Sequence, residues 1–188
     1  GLGSDLVKIS MLGELAEGQM SDPESLRPHL RKISATGREA VRDMDEIVWA
    51  VNPKNDTLDN LGDYMCQFAG ELFDAGPARL RLDVPPDLPN YTLSADLRHN
   101  LFLFVKEALN NAVKHAEATD VSLRLSVENN VLRIVVADNG RGMPPMVPGG
   151  SGQGMGNLRG RAEQVGGTFE LHSDGSGTEI RFRMHLSK

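Results

Sequence analysis

Glu107, Asn111 and Lys114 stand four and three residues apart in KEALNNAVKHA (106–116), with Asn110 and His115 as neighbours. A carboxylate, two amides and an ammonium in such spacing form a set able to meet a polar ligand. On a 3.6-residue helix Asn100, Glu107, Asn111 and Lys114 fall in one narrow stripe, with Asn110 just beside it. The preceding run LFLFV, 101–105, places apolar side chains around much of the remaining surface. Such a helix belongs between layers, where an unpaired carboxylate or amide costs about 1–3 kcal/mol or more. Something polar must therefore face the stripe, either a ligand or a hydrogen-bond network of the protein's own.

Two further stretches carry chemistry. Asp138-Asn139-Gly140-Arg141-Gly142-Met143 ends an apolar run. A carboxylate at the end of a buried strand, followed by glycines that admit a close approach, suits an exocyclic amine such as that of adenine, although Asn-Gly is also an ordinary turn. Gly149-Gly150-Ser151-Gly152-Gln153-Gly154-Met155-Gly156 leads into a helical pattern. Backbone N–H groups at such a helix start can cradle phosphates, and the same loop can equally bind nothing. It lacks the Gly-Lys-Ser/Thr ending of a P-loop.

The elements that must position these residues emerge from periodicity. Leu2, Leu6, Ile9, Leu12 and Leu15, then Leu26, Leu30, Ile33, Gly37, Val41, Met44, Ile47 and Val51, recur at three and four. They predict two amphipathic helices, with Ser21-Asp22-Pro23 starting the second and Asn52-Pro53 ending it. The apolar stripe is narrow, so pairing with a second copy into a four-helix bundle is expected. A helix over Leu58 to Ala75 comes next, then a strand around Leu80, Leu82 and Val84. The polar-striped helix spans Ser94 to Ala116. A hairpin turning at Asn129-Asn130 joins an alternating strand to VLRIVVA (131–137), whose nearly unbroken apolar run predicts cover on both faces. Residues 138–156, crowded with glycine and holding three prolines, form a loop. A helix around Asn157 to Val165 and strands Thr168 to His172 and Glu179 to Leu186 finish the chain. The expected class is α+β: a helical hairpin (1–52) forming a dimeric four-helix bundle, then a two-layer sandwich (53–188) with a mixed, mostly antiparallel sheet.

The 188 residues carry a net charge of -6 and one cysteine, Cys66. The acidic balance gives no footprint for nucleic acid, and a lone cysteine excludes an internal disulfide framework, consistent with the cytoplasm. No stretch approaches the roughly 20 apolar residues needed to span a bilayer, and any membrane attachment would lie in parts of a longer protein.

Together and in this order, the three motifs resemble the ATP-binding domain of the Bergerat-fold ATPases, the superfamily of gyrase, Hsp90, MutL and the histidine kinases. Glu107-x-x-x-Asn111-x-x-Lys114-His115 is similar to the N box, Asp138-x-Gly140-x-Gly142 to the first glycine box, and Gly152-x-Gly154-Met155 to the second. Gly177-Thr178-Glu179 resembles the closing G-T strand. Asp43 to Leu61 (DMDEIVWAVNPKNDTLDNL) is similar to the connection between dimerisation helix and ATPase domain in sensor histidine kinases with an H-D-x-x-G phosphoacceptor motif. Gly1 to Leu12 (GLGSDLVKISML) resembles the residues that come after that His-Asp pair. The resemblance sets the acceptor His just ahead of Gly1; His29, His99, His115, His172 and His185 do not fit its pattern. The 188 residues are thus expected to bind nucleotide without phosphorylating themselves there.

The resemblance implies roles for individual residues. Asn111 would coordinate Mg²⁺ bridging the phosphates of ATP, Lys114 would neutralise phosphate charge with His115 nearby, and Glu107 would orient or deprotonate the attacking group. Asp138 would accept from adenine N6, supported by Thr178. Gly140, Gly142 and Met143 would also contact ATP, and Gly152, Gly154 and Met155 would form the hinge and phosphate cradle of a short lid, about 143–153. Trp49 is either an anchor of the bundle or a contact for the ATPase domain. The implied partners are a second copy, through the N-terminal helices, and the receiver domain of a response regulator. Two other functions remain open from sequence: a serine kinase of the anti-sigma kind, whose relatives resemble a bare ATPase domain without the hairpin, and a dimeric module that binds nucleotide without phosphoryl transfer.

Overall fold

The computed structural model describes residues 2–18, 23–74, 76–143 and 153–187. Ser21, Asp22, Gly149–Gly152 and most of the expected lid lie outside them. The chain divides into two compact units, Gly1–Asn52 and Pro53–Lys188.

The first unit is a helical hairpin of α1 (Leu2–Glu17) and α2 (Pro23–Val51), which pack on one another. Its buried positions include Leu12 and Ala16 on α1 and Thr36 and Ala40 on α2. The apolar stripe read from the sequence lies largely elsewhere: Leu6, Leu15, Leu30, Val41, Met44 and Val51 are each about half exposed.

The second unit starts with a short 3-10 turn, Pro53–Asn55, and α3 (Leu58–Phe73), whose N-cap Thr57 accepts from Asn60 N at 3.2 Å. β1 (Arg79–Asp83) comes next, then α4 (Ala95–Asn111), capped by Ser94, which accepts from Leu97 N. α4 continues into a π-helical turn, Ala112–Ala116. The hairpin β2 (Asp120–Glu128) and β3 (Val131–Asp138) turns on Asn129 and Asn130, both at positive φ (50° and 62°), the geometry of a type I′ turn. α5 (Gln153–Gln164) and the hairpin β4 (Thr168–Asp174) and β5 (Gly177–His185) complete the unit.

The sheet order is β1-β2-β3-β5-β4, with β1 and β2 parallel and every other pair antiparallel. The α+β class and the mixed, mostly antiparallel sheet are as the periodicity predicts. Inward positions Leu123, Leu125, Leu132, Ile134, Ile180 and Phe182 alternate with outward ones and are buried. α4 lays Leu101, Phe104, Val105 and Ala108 into this core; Phe104 meets Phe182 at 5.4 Å and Phe169 at 6.3 Å between ring centroids.

β3 differs from its expected cover on both faces. Val131, Arg133 and Val135 on its outer side are half-buried, not buried. The strand is central, and the register flanks Val135 with Arg124 and Arg181. The stems of such neighbours shield an apolar residue while their charges stay in water.

Cys66, on α3, is half-buried, and burial followed by the Asp63 charge pushes its thiol above the ordinary range. The thiolate is the reactive form, so labelling by iodoacetamide at pH 7.5 is expected to run slower than for free cysteine. A rate equal to free cysteine would contradict the shift.

Candidate functional site

At the end of α4 the same helix face and the same inward positions that form the core stop being filled. The result is a cavity of about 760 Å³ between the α4 end, β3, β5 and the start of α5. Its apolar wall comes from Ala108, Ala112, Val136 and Ile180, and the two alanines, four apart, leave room beside the sheet.

Polar groups converge on this space. Asp138, the last residue of β3, lines it; its Oδ1 accepts from Gly140 N at 2.9 Å and Thr178 N at 3.3 Å. Those bonds engage one carboxylate oxygen and orient the group. Thr178 also lines the cavity, and its Oγ1 lies 3.0 Å from Ser173 Oγ. Ser173 accepts from Met143 N at 2.8 Å, which fastens the loop after β3 onto the β4–β5 hairpin. Gly142 in that loop has φ 69°, and a Cβ there would overlap Asp174 O. Only glycine suits this position, for conformation and space alike.

Asn111 lines the cavity from α4, and its Nδ2 is the buried side-chain nitrogen or oxygen that has no hydrogen-bond partner among the described residues. A buried amide donor left unpaired is costly, so this atom is a place where an external acceptor oxygen gains most. Its carbonyl is the kind of hard oxygen that Mg²⁺ takes. Among the described residues there is no cluster of three or more His, Cys, Asp or Glu able to hold a metal. Mg²⁺ would thus rest on Asn111 together with ligand phosphates and water, the usual habit of that ion, and the residues present fit it.

Residues 97–188 match the family described as histidine kinase-, DNA gyrase B-, and HSP90-like ATPase. The sensor histidine kinase LiaS of Bacillus subtilis is 27% identical over 187 residues, 98% of this chain and 51% of LiaS. VraS of Staphylococcus aureus is 27% identical over 111 residues, 58% of this chain and 32% of VraS. The chain is similar to sensor histidine kinases over nearly its whole length. The fold agrees: the histidine kinase domain of the Erythrobacter litoralis EL346 blue-light activated kinase superposes with a TM-score of 0.61 at 21% identity, covering 98% of this chain and 90% of that one. The chain spans about half the length of LiaS.

Of the residues expected from sequence, the fold brings Asn111, His115, Asp138, Gly142, Met143, Gly154, Met155 and Thr178 around one cavity. Gly152 lies outside the described residues. Gly140 stands just behind the wall, pressed on the α4 end, where a Cβ would overlap Ala116 O. Glu107 does not line the cavity; its Oε1 would lie 2.7 Å from a Cβ at Gly154, so the carboxylate faces the first turn of α5. Lys114 is exposed and does not line the cavity either. Its stripe position assumed an α-helix, and the π turn from Ala112 holds more residues per turn, which rotates Lys114 out of that phase.

Two stripe amides serve the protein itself. Asn100 Nδ2 donates to Asp96 O at 2.9 Å and Asn110 Nδ2 to Lys106 O at 2.8 Å. α5 starts at Gln153, four residues before the expected helix, so Gly154 and Met155 are helical instead of looped. The close approach to Glu107 explains why glycine is kept in that first turn.

Sequence reasoning missed Arg141, Ser173 and Asn139. Asn139 Oδ1 accepts from Thr119 N at 3.0 Å and Asp120 N at 2.9 Å, tying the end of β3 to the start of β2, so it is structural. The alanines at 108, 112 and 116 were a signal in plain view: small residues at a spacing of four beside a polar stripe mark a gap.

Proposed function

We propose that this kinase core binds Mg-ATP in the α4–β3–β5 cavity and supplies the γ-phosphoryl group to a histidine on the dimerisation helix, from which it passes to an aspartate of a response regulator receiver domain. The observation that carries this reading is the pairing, in one cavity, of an oriented carboxylate at Asp138 with an Asn111 amide nitrogen that is buried without a partner among the described residues. The first suits an exocyclic amine and the second a phosphate with its cation. Asp138 would accept from adenine N6 while its Oδ1 stays fixed by Gly140 N and Thr178 N. The alanine wall leaves room for a flat base. Mg²⁺, when bound, offsets charge on the phosphates as the transferring group moves.

In the transfer, an imidazole nitrogen bonds to the γ-phosphorus as the bond to the β–γ bridging oxygen breaks, and ADP leaves with that bond's electron pair. Positioning and electrostatics supply most of the catalysis. Glu107 lies near enough to the α5 start to orient the attacking group once that helix shifts. Lys114, exposed here, would swing toward the phosphates from the π turn. In the H-D-x-x-G kinases that this chain resembles, the acceptor His lies in the stretch just ahead of the residues similar to Gly1 to Leu12. Adding that stretch and incubating with γ-labelled ATP and Mg²⁺ should give an acid-labile, alkali-stable label, lost when the added His is replaced. Label stable to acid on Ser or Thr would instead favour a serine kinase.

The half-exposed apolar stripe of α1 and α2 supports a second copy as the partner that covers it. Met44→Glu combined with Leu15→Glu is expected to turn a dimer into a monomer by sedimentation equilibrium while leaving nucleotide affinity within about twofold, because stripe and cavity belong to separate compact units. A dimer that survives both charges would rule the stripe out as the interface.

A further inference from the structure

We propose that Arg141 is a positioning residue for the nucleotide, acting through His115, with Glu117 holding its guanidinium; this rests on reading the cavity as a nucleotide site. Three contacts from this one residue reach the end of α4. Its backbone N–H donates to Ala116 O at 2.9 Å, its Nε donates to His115 O at 3.0 Å, and its Nη1 lies 3.0 Å from Glu117 Oε1. The last carbonyls of a helix have no partner within it, and a cation there is favoured by the helix dipole. Arg141 supplies both needs from the glycine loop.

The clamp is placed where it matters for a ligand. His115, Ala116 and Arg141 all line the cavity, and Arg141 is the permanent cation among the described residues that do so. The carbonyls it holds belong to the π turn, the least regular part of the helix, which ends at Glu117 in the left-handed region with φ 54°. Gly140, one residue earlier, is pressed on Ala116 O. The strand end carrying Asp138 and the turn carrying His115 are thereby joined through the loop residues that come after Asp138, so the base-binding carboxylate and the His115 wall keep a fixed separation.

Stability is not what this clamp contributes. Arg141 and Glu117 are 62% and 75% exposed, and exposed pairs add little to folding. Lysine is a poor substitute, since it brings a point charge without the fork that reaches a carbonyl and a carboxylate together.

The test uses the full 188-residue chain, with Mg-ADP affinity measured by calorimetry and thermal unfolding followed without ligand. Wild-type protein that binds no adenine nucleotide would overturn the reading of the cavity itself. If wild type binds, Arg141→Ala is expected to weaken Mg-ADP about tenfold, and Arg141→Lys by most of that, on the scale of one charge-assisted hydrogen bond. The unliganded unfolding midpoint should move by no more than a few degrees, about what 1 kcal/mol gives. In a His115→Ala background the same Arg141→Ala change should cost no more than about twofold, because the path through His115 is already gone. A full tenfold loss in that background would mean that Arg141 touches the ligand directly, and unchanged affinity in the single variants would mean that it does nothing for binding. Either result overturns the proposal.

Discussion

Asp138→Asn is expected to weaken adenine nucleotide binding by about ten- to a hundredfold while the unliganded fold stays intact. Asparagine can keep its oxygen on Gly140 N and Thr178 N, the two donors that orient the native Oδ1. Its NH₂ then points where the carboxylate oxygen accepted, so donor meets donor, and a buried mismatch of this kind costs about 1–3 kcal/mol. The same substitution should narrow the preference for ADP over GDP, since guanine presents an acceptor, O6, where adenine presents its amine. Fluorescence titration with both nucleotides separates the outcomes. Equal loss for both would indicate general damage, and no loss for either would remove Asp138 from the site. Asn111→Asp should weaken Mg-ADP as well, but without altering the choice of base, because its amide is proposed to act at the phosphate end.

The largest effect on stability is expected at Phe104. Its side chain is 1% exposed and packs on Phe182 and Phe169. Phe104→Ala removes a buried ring and leaves a void, which costs about 3–5 kcal/mol in well-packed cores. Urea unfolding should show a lower midpoint with the slope nearly unchanged. A loss below about 1 kcal/mol would mean that the site collapses, contrary to the close packing of core interiors. Ala108 and Asn111 lie four and seven residues beyond Phe104, on the same face of α4. Nucleotide binding should therefore fall together with stability in this variant.

Much of the fold is legible in the sequence because the core repeats itself. Leu123, Leu125, Leu132, Ile134 and Ile180 alternate as strands must, and caps such as Ser94 and the Asn129-Asn130 turn punctuate them. Residues fixed by a single contact are less so. Extending an α-helix through a turn that is π puts Lys114 in the wrong phase, and nothing in AVKHA announces the extra residue per turn. The start of α5 is hard to place because glycines argue for loop, whereas here the approach to Glu107 requires one inside the helix. Arg141 lies between two glycines with no periodicity of its own, and its carbonyl partner is 26 residues earlier. The apolar run of β3 misleads because its outer Val135 is flanked by Arg124 and Arg181, whose stems can shelter it without a second layer.

The cavity shares its walls with the hydrophobic core, so a ligand bound there would be a removable piece of the protein's interior. Val136 and Ile180 point inward from the strands that also bury Ile134 and Phe182. An adenine seated there would complete a layer that the polypeptide leaves short. Anything that binds only the folded form adds stability by mass action, about 2.7 kcal/mol at a hundred times its dissociation constant. The resistance of this unit to heat and proteases would then report the supply of adenine nucleotide around it. Substitutions in the layer around Phe104 would be tolerated while nucleotide is plentiful and exposed as lesions when it runs low.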